Sequence, residues 1–108
     1  LSSSFKTWIN HLPRIPRLLR YSLGEKITSL FIELIELILI AGYSDKQQKS
    51  ITIQKASIKL DLLKYFLQTA FDLRAIDSKT LAGISVSLAE AGKMVGGWLK
   101  QAIQQTPS

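Results

Sequence analysis

Apolar residues recur along this chain at the three-and-four spacing of helices buried on one side. Four helical segments follow from that pattern, over about 4–12, 23–41, 45–75 and 78–104. The first places Phe5, Trp8, Ile9 and Leu12 on one broad face. Pro13 and Pro16 stop it, because each removes a backbone donor and restricts the residue before it. Arg14 to Leu19 then reads as an irregular strap or a short turn of helix. The second segment carries the stripe Leu23, Ile27, Leu30, Leu34, Leu37 and Ala41, opened by Ser22 and Glu25 as a capping box and closed by Gly42. Ser44 with Gln47 suggests a second capping box. The β-branched run Ser50–Ile53 allows a brief strand. Ala56, Leu60, Leu63, Leu67, Ala70 and Leu73 then restore the helical period. The last segment starts at Asp77 or Ser78 and buries Leu81, Ile84, Leu88, Ala91, Val95 and Trp98. Short links between long amphipathic helices make antiparallel neighbours. The expected fold is all-α, an up-and-down antiparallel four-helix bundle forming one domain over 1–108.

Ile35, Ile38, Leu39 and Phe31 widen the apolar stripe of the second segment. Its polar remainder is only Lys26, Ser29, Glu33 and Glu36. Such coverage exceeds what one bundle partner needs and points to neighbours on more than one side. Glu33 and Glu36 in its middle argue against a membrane span. No signal-peptide pattern opens the sequence. With no cysteine, disulfides and thiolate chemistry are excluded.

The fourth segment holds three glycines, Gly92, Gly96 and Gly97, each costing about 1 kcal/mol against alanine inside a helix. Ser85, Ala89, Gly92 and Gly96 share a face on which another backbone can come close. The implied seam, with Trp98 beside it, lies either within the bundle or between subunits. The rival is a helix that ends near Gly96. These glycines do not make a phosphate loop, since no strand precedes them and no Lys–Ser/Thr pair follows.

The net charge is +6, from 14 basic and 8 acidic residues. It is uneven: Lys6, Arg14, Arg17 and Arg20 meet no acid before Glu25. The arginines recur every third residue, and arginine's planar fork suits phosphate or carboxylate. Lys55 and Lys59 share a helix face, Lys64 sits on another side, and Lys93 and Lys100 lie seven apart. Together these form a candidate surface for salt-sensitive contact with nucleic acid or an acidic partner. The alternative is that the arginines pair internally with Glu25, Glu33 or Glu36, and for Arg20, so near a helix start, a structural role stands beside the binding one. Catalysis has little to draw on. The single histidine, His11, has no cysteine partner, and Glu33 with Glu36 lacks the further Glu and Glu-x-x-His of a di-metal bundle. No metal and no cofactor are expected.

The segments PRIPRLLRYSLGEKI (Pro13–Ile27), KLDLLKYFLQTAFDLRAI (Lys59–Ile76) and AGKMVGGWLK (Ala91–Lys100) resemble the Avd accessory proteins of diversity-generating retroelements. These are relatives of the four-helix bundle proteins encoded in intervening sequences of 23S rRNA genes. The resemblance implies a bundle that assembles into a barrel-like homopentamer. It implies a non-catalytic partner of the retroelement reverse transcriptase that binds RNA or DNA during mutagenic copying; the expected compartment is the cytoplasm. The family's basic positions fall on Arg14, Arg20, Lys26, Lys64, Arg74 and Lys93, and its small-residue seam on Gly92, Gly96 and Gly97. The family commonly has arginine at Lys26, Lys64 and Lys93, and often a further one at Gln68. Lysine keeps the charge but loses the fork. The first helix is short against the family pattern. A bundle of the intervening-sequence type, binding protein without a nucleic-acid role, is the alternative. A membrane-surface role for Leu12–Leu23 is a third and weaker option.

Overall fold

A computed structural model describes residues 1–105. Five α segments appear: α1 (Ser2–His11), α2 (Arg17–Leu19), α3 (Glu25–Tyr43), α4 (Lys46–Asp72) and α5 (Ser78–Gln105). A 3-10 turn, Leu12–Arg14, follows α1, and a π turn, Arg20–Gly24, joins α2 to α3. The junction residues Leu19, Arg20 and Glu25 all keep right-handed helical angles, so α2, the π turn and α3 form one rod. The molecule is an all-α four-helix bundle, 50 Å long and 21 Å across in each other direction.

The chain goes up and down. Phe5 stacks on Phe31 at 5.7 Å, Trp8 bonds Thr28, and His11 reaches Ala75, so α1 runs antiparallel to α3. Tyr43 is followed by only Ser44 and Asp45 before α4 doubles back. Each long helix therefore packs on its sequence neighbour, and α1 rests on both α3 and α5. The main core holds Trp8, Ile27, Leu30, Phe31, Leu34, Leu63, Leu67, Ile84 and Leu88, each at most 1% exposed. A smaller cluster, Ala41, Ile53 and Val95 with Trp98 and Leu99 against it, sits at the far end. Helix length explains the division. Helix α1 has 10 residues, whereas α5 runs over 28, from Ser78 to Gln105. At the helical rise per residue, α1 is about 15 Å long and α5 about 42 Å. The fourth corner of the bundle is filled over less than half its length.

Several boundaries differ from the sequence expectation. The second helix does not begin at Ser22. Pro16 takes the N-cap place with extended ψ, and Arg20 N donates to Pro16 O at 2.9 Å, so helix resumes directly after the proline. Pro at a helix start is suited by its fixed φ and missing donor. Ser22, inside the helix, donates back to Leu18 O instead of capping. Gly42 is helical, and the helix closes at Tyr43. Ser44 donates to Ile40 O, and the cap of α4 is Asp45, which accepts from Gln48 N at 2.9 Å. Ser50–Ile53 is helical. The third helix stops at Asp72, short of Ala75, in a Schellman motif. There Ala75 N donates to Ala70 O and Arg74 N to Phe71 O. Helix α5 continues through Gly96 and Gly97.

Asp77 starts α5 by accepting from Thr80 N at 2.7 Å. The Thr80 hydroxyl and backbone bonds hold its carboxyl below the usual 3.8. A group so depressed in the folded state stabilises it above the unfolded value and loses that effect as pH falls through the folded one. Replacing Asp77 with Ala lowers the melting temperature at pH 7. The gap to the parent protein closes as pH is taken below 3.8, which melts at stepped pH check. Trp8→Ala empties a fully buried site and frees Thr28. It costs about 3–5 kcal/mol in denaturant titration.

Candidate nucleic-acid interface

The strap between Leu12 and Pro16 decides where the basic residues stand. Breaking the helix leaves its carbonyls without helical donors, and buried or half-buried carbonyls need partners. Arg20 supplies them. Its Nε and Nη2 donate to Ile15 O at 3.3 and 3.0 Å, and Nη2 donates to Pro13 O at 3.1 Å. That guanidinium is committed to the corner. Gly24 lies beneath it, where an added Cβ would stand 3.1 Å from Leu12 Cδ1. Thr28 completes the joint, accepting from Trp8 Nε1 and donating to Gly24 O, both at 2.9 Å.

Arg14 and Arg17 are exposed, and among the described residues neither makes an ion pair. Arg17 lies over the Tyr21 ring at 5.8 Å. Arg14 shares a cleft of about 640 Å³ with His11, Phe71, Arg74 and Ile76, rimmed by Asp72 and Asp77. Both carboxylates have local duties: Asp72 accepts from Gln68 and Asp77 caps α5. His11 is held by donating from Nε2 to Ala75 O at 3.2 Å. The fold thus brings Arg14 and Arg74 to one cleft from opposite halves of the sequence.

Arg74 has φ +60°, the only positive value at a non-glycine among the described residues. For an L-residue the left-handed conformation costs about 1–2 kcal/mol, and helices ending in this motif usually place glycine there. The two bonds of the helix end, Ala75 N to Ala70 O and Arg74 N to Phe71 O, hold the backbone in this conformation and leave the Arg74 side chain exposed at the cleft.

The lysines are dispersed. Lys59 bonds Glu33 at 2.8 Å across α3 and α4, the one ion pair among the described residues. That bond, above all, holds the Glu33 carboxyl below its usual value, aided by Ser29 and Lys26. Since both partners are partly exposed, the pair contributes at most about 1 kcal/mol. Lys26 is exposed on the same flank, and Lys55 points outward from α4. Lys64 reaches over α5, with Nζ 3.5 Å from where a Gly92 Cβ would stand. Lys93 and Lys100 are exposed on the outer face of α5. The arginines, then, do not pair with Glu25, Glu33 or Glu36 among the described residues.

The glycines divide. Gly92 faces α4, where Leu60 would be 3.5 Å from its Cβ, while Gly96 and Gly97 face open space. Trp98 is half-buried, with the Lys49 ammonium 5.5 Å from its ring centroid. Among the described residues, no three His, Asp or Glu side chains gather into a metal site, and no helix is long and apolar enough to cross a membrane.

Two features escaped the sequence reading. One is the cleft, whose Arg74 strain depends on a helix end that no glycine signalled. The other is a second apolar stripe on α4, made of the exposed Ile51, Ile58, Leu62 and Tyr65. The four-and-three spacing of its last three members was available in the sequence, but the stronger stripe toward the core obscured it.

Residues 5–102 match the profile of a family described as bAvd-like. No curated protein and no solved structure matches the chain. With that match spanning nearly the whole bundle, from α1 deep into α5, the chain belongs to the bAvd-like family.

Proposed function

We propose that this protein is a non-catalytic accessory factor of a diversity-generating retroelement, binding the reverse transcriptase and its template RNA or cDNA as a homo-oligomer. Family membership supports the role, and a pentamer is the assembly the resemblance implies. The observation that carries the nucleic-acid part is the arginine end of the bundle. Arg14 and Arg74 line one cleft there, Arg17 is exposed three residues after Arg14, none of the three makes an ion pair among the described residues, and Arg74 keeps a left-handed backbone. Guanidinium forks at such an edge grip successive phosphates and give salt-sensitive binding that ignores sequence. Lys26, Lys55 and Lys64 extend positive charge along the bundle, whereas Arg20 and Lys59 support the fold. The transcriptase has the exposed α4 stripe, Ile58, Leu62 and Tyr65, as an apolar landing surface. The cell compartment of such a complex is the cytoplasm.

Arg14→Glu combined with Arg17→Glu weakens binding to single-stranded RNA and DNA about tenfold or more and flattens its salt dependence in anisotropy titrations. Unchanged affinity means that these arginines are not the contact, and a parent protein that binds neither RNA nor DNA belongs with the bundles that have no nucleic-acid role. Arg74→Gly separates the two duties of that residue. Relief of the left-handed strain raises unfolding free energy by about 1 kcal/mol, while nucleic-acid affinity falls. Pull-down of the transcriptase by each variant reads the protein contact independently.

A further inference from the structure

The outer face of α3 is apolar where a solvated face belongs. Ile32, Leu39, Ile40 and Tyr43 are exposed there, Tyr43 by 92%. Ile32, Glu36, Leu39 and Tyr43 follow one another by four, three and four residues, the spacing of a helix that receives another helix along its length. Beside them runs an open groove of about 550 Å³ lined by Tyr21, Glu25, Ser29, Ile32 and Glu36. Glu25 and Glu36 make no ion pair among the described residues.

The outer face of α5 is its complement in size and charge. Ala82, Val86, Ala89, Lys93, Gly96 and Lys100 are all exposed and follow the same four-and-three spacing. Space beyond Gly96 and Gly97 is empty. Laid parallel in register, the two faces match step by step. Ile32 meets Ala89, Glu36 meets Lys93, Leu39 meets Gly96, and the Tyr43 ring meets Lys100. Large side chains oppose small ones, an acid opposes a base, and an aromatic face opposes an ammonium.

Height along the bundle decides the symmetry. Within one protomer, Ala41 of α3 clusters with Val95 of α5. Glu33 meets Lys59, whose neighbour Leu60 lies against Gly92. The residues matched above therefore already stand at nearly the same level. Two copies set side by side, pointing the same way and without an axial step, align them. A contact between different faces with no axial step closes by rotation instead of climbing into a filament.

The geometry points to α3 of one copy docking on α5 of the next, with a second copy of this chain as the occupant of the α3 groove. This inference rests on the self-assembling reading above and names the surfaces that make the assembly. The α4 stripe fits less well, since Lys55 would face the lysines of α5 and its bulky residues would meet the bulky ridge of α3.

Because the chain has no cysteine, Leu39→Cys with Gly96→Cys in one chain gives a clean oxidation test. The expected result is a ladder of covalent multimers on a non-reducing gel, absent when Ile58→Cys replaces the first partner. Glu36→Lys and Lys93→Glu each lower the mass seen by light scattering toward a single chain, with helical circular dichroism retained, and the two together restore it. Two outcomes overturn the inference. An assembled protein in which the Leu39→Cys, Gly96→Cys double variant stays uncross-linked removes this interface and leaves the oligomer standing. A parent protein that runs as a single chain at micromolar concentration removes the interface and the oligomer together.

Discussion

The two prolines at positions 13 and 16 set the condition on which the rest of the bundle depends. They end α1 and leave a run of carbonyls that no helix can satisfy. The Arg20 guanidinium gathers Pro13 O and Ile15 O from inside the next helix, so the corner closes on itself. Once it is closed, α1 falls between α3 and α5, with Trp8 buried against Thr28 and His11 tied to Ala75. The same corner turns Arg14 and Arg17 outward and brings Arg14 toward Arg74. One arginine is committed to structure so that its neighbours are left available.

The bundle is unusual in how many of its outer faces are apolar. Helix α4 buries Ile53, Leu60, Leu63 and Leu67 and shows Ile58, Leu62 and Tyr65 on the opposite side. Helix α3 buries Leu30 and Leu34 and shows Ile32, Leu39 and Tyr43. A solitary monomer gains nothing from these second stripes, which cost solubility. They are the surfaces on which the proposed self-assembly and partner contacts would draw. The arginine end, the α4 stripe and the α3–α5 pair of faces lie on different parts of the rod, so several contacts can be held at once.

Much of this was readable from the sequence, and the failures have identifiable causes. The helical period alone located all four helices, because each buries one continuous stripe. The wide stripe of the second helix pointed beyond a single neighbour, and its exposed apolar residues now give that width a place on the surface. Ser22 and Glu25 misled because a capping pattern has no meaning once Pro16 has already started the helix; Ser22 then bonds backward to Leu18. Ser44 misled for a nearby reason, since Asp45 one residue later accepts the capping bond. Arg20 could not be separated from Arg14 and Arg17 by residue type, because only the fold shows whose carbonyls lie within reach. Arg74 was hidden most deeply. A helix that ends on arginine in a left-handed conformation violates local preference, and such violations cannot be read from local preference.

The short first helix also divides the molecule mechanically. Near the strap, four helices enclose Trp8, Phe31 and Leu63, and opening any one exposes the others. Toward Tyr43, three helices share only Ala41, Ile53 and Val95, with Trp98 and Leu99 at the edge. Cohesion therefore declines along the 50 Å axis, and amide protons of the far end exchange with solvent through smaller openings than those beside the strap. The rod is firm beside the strap that carries Arg14 and Arg17, and yielding toward the end where Leu39, Ile40 and Tyr43 stand exposed.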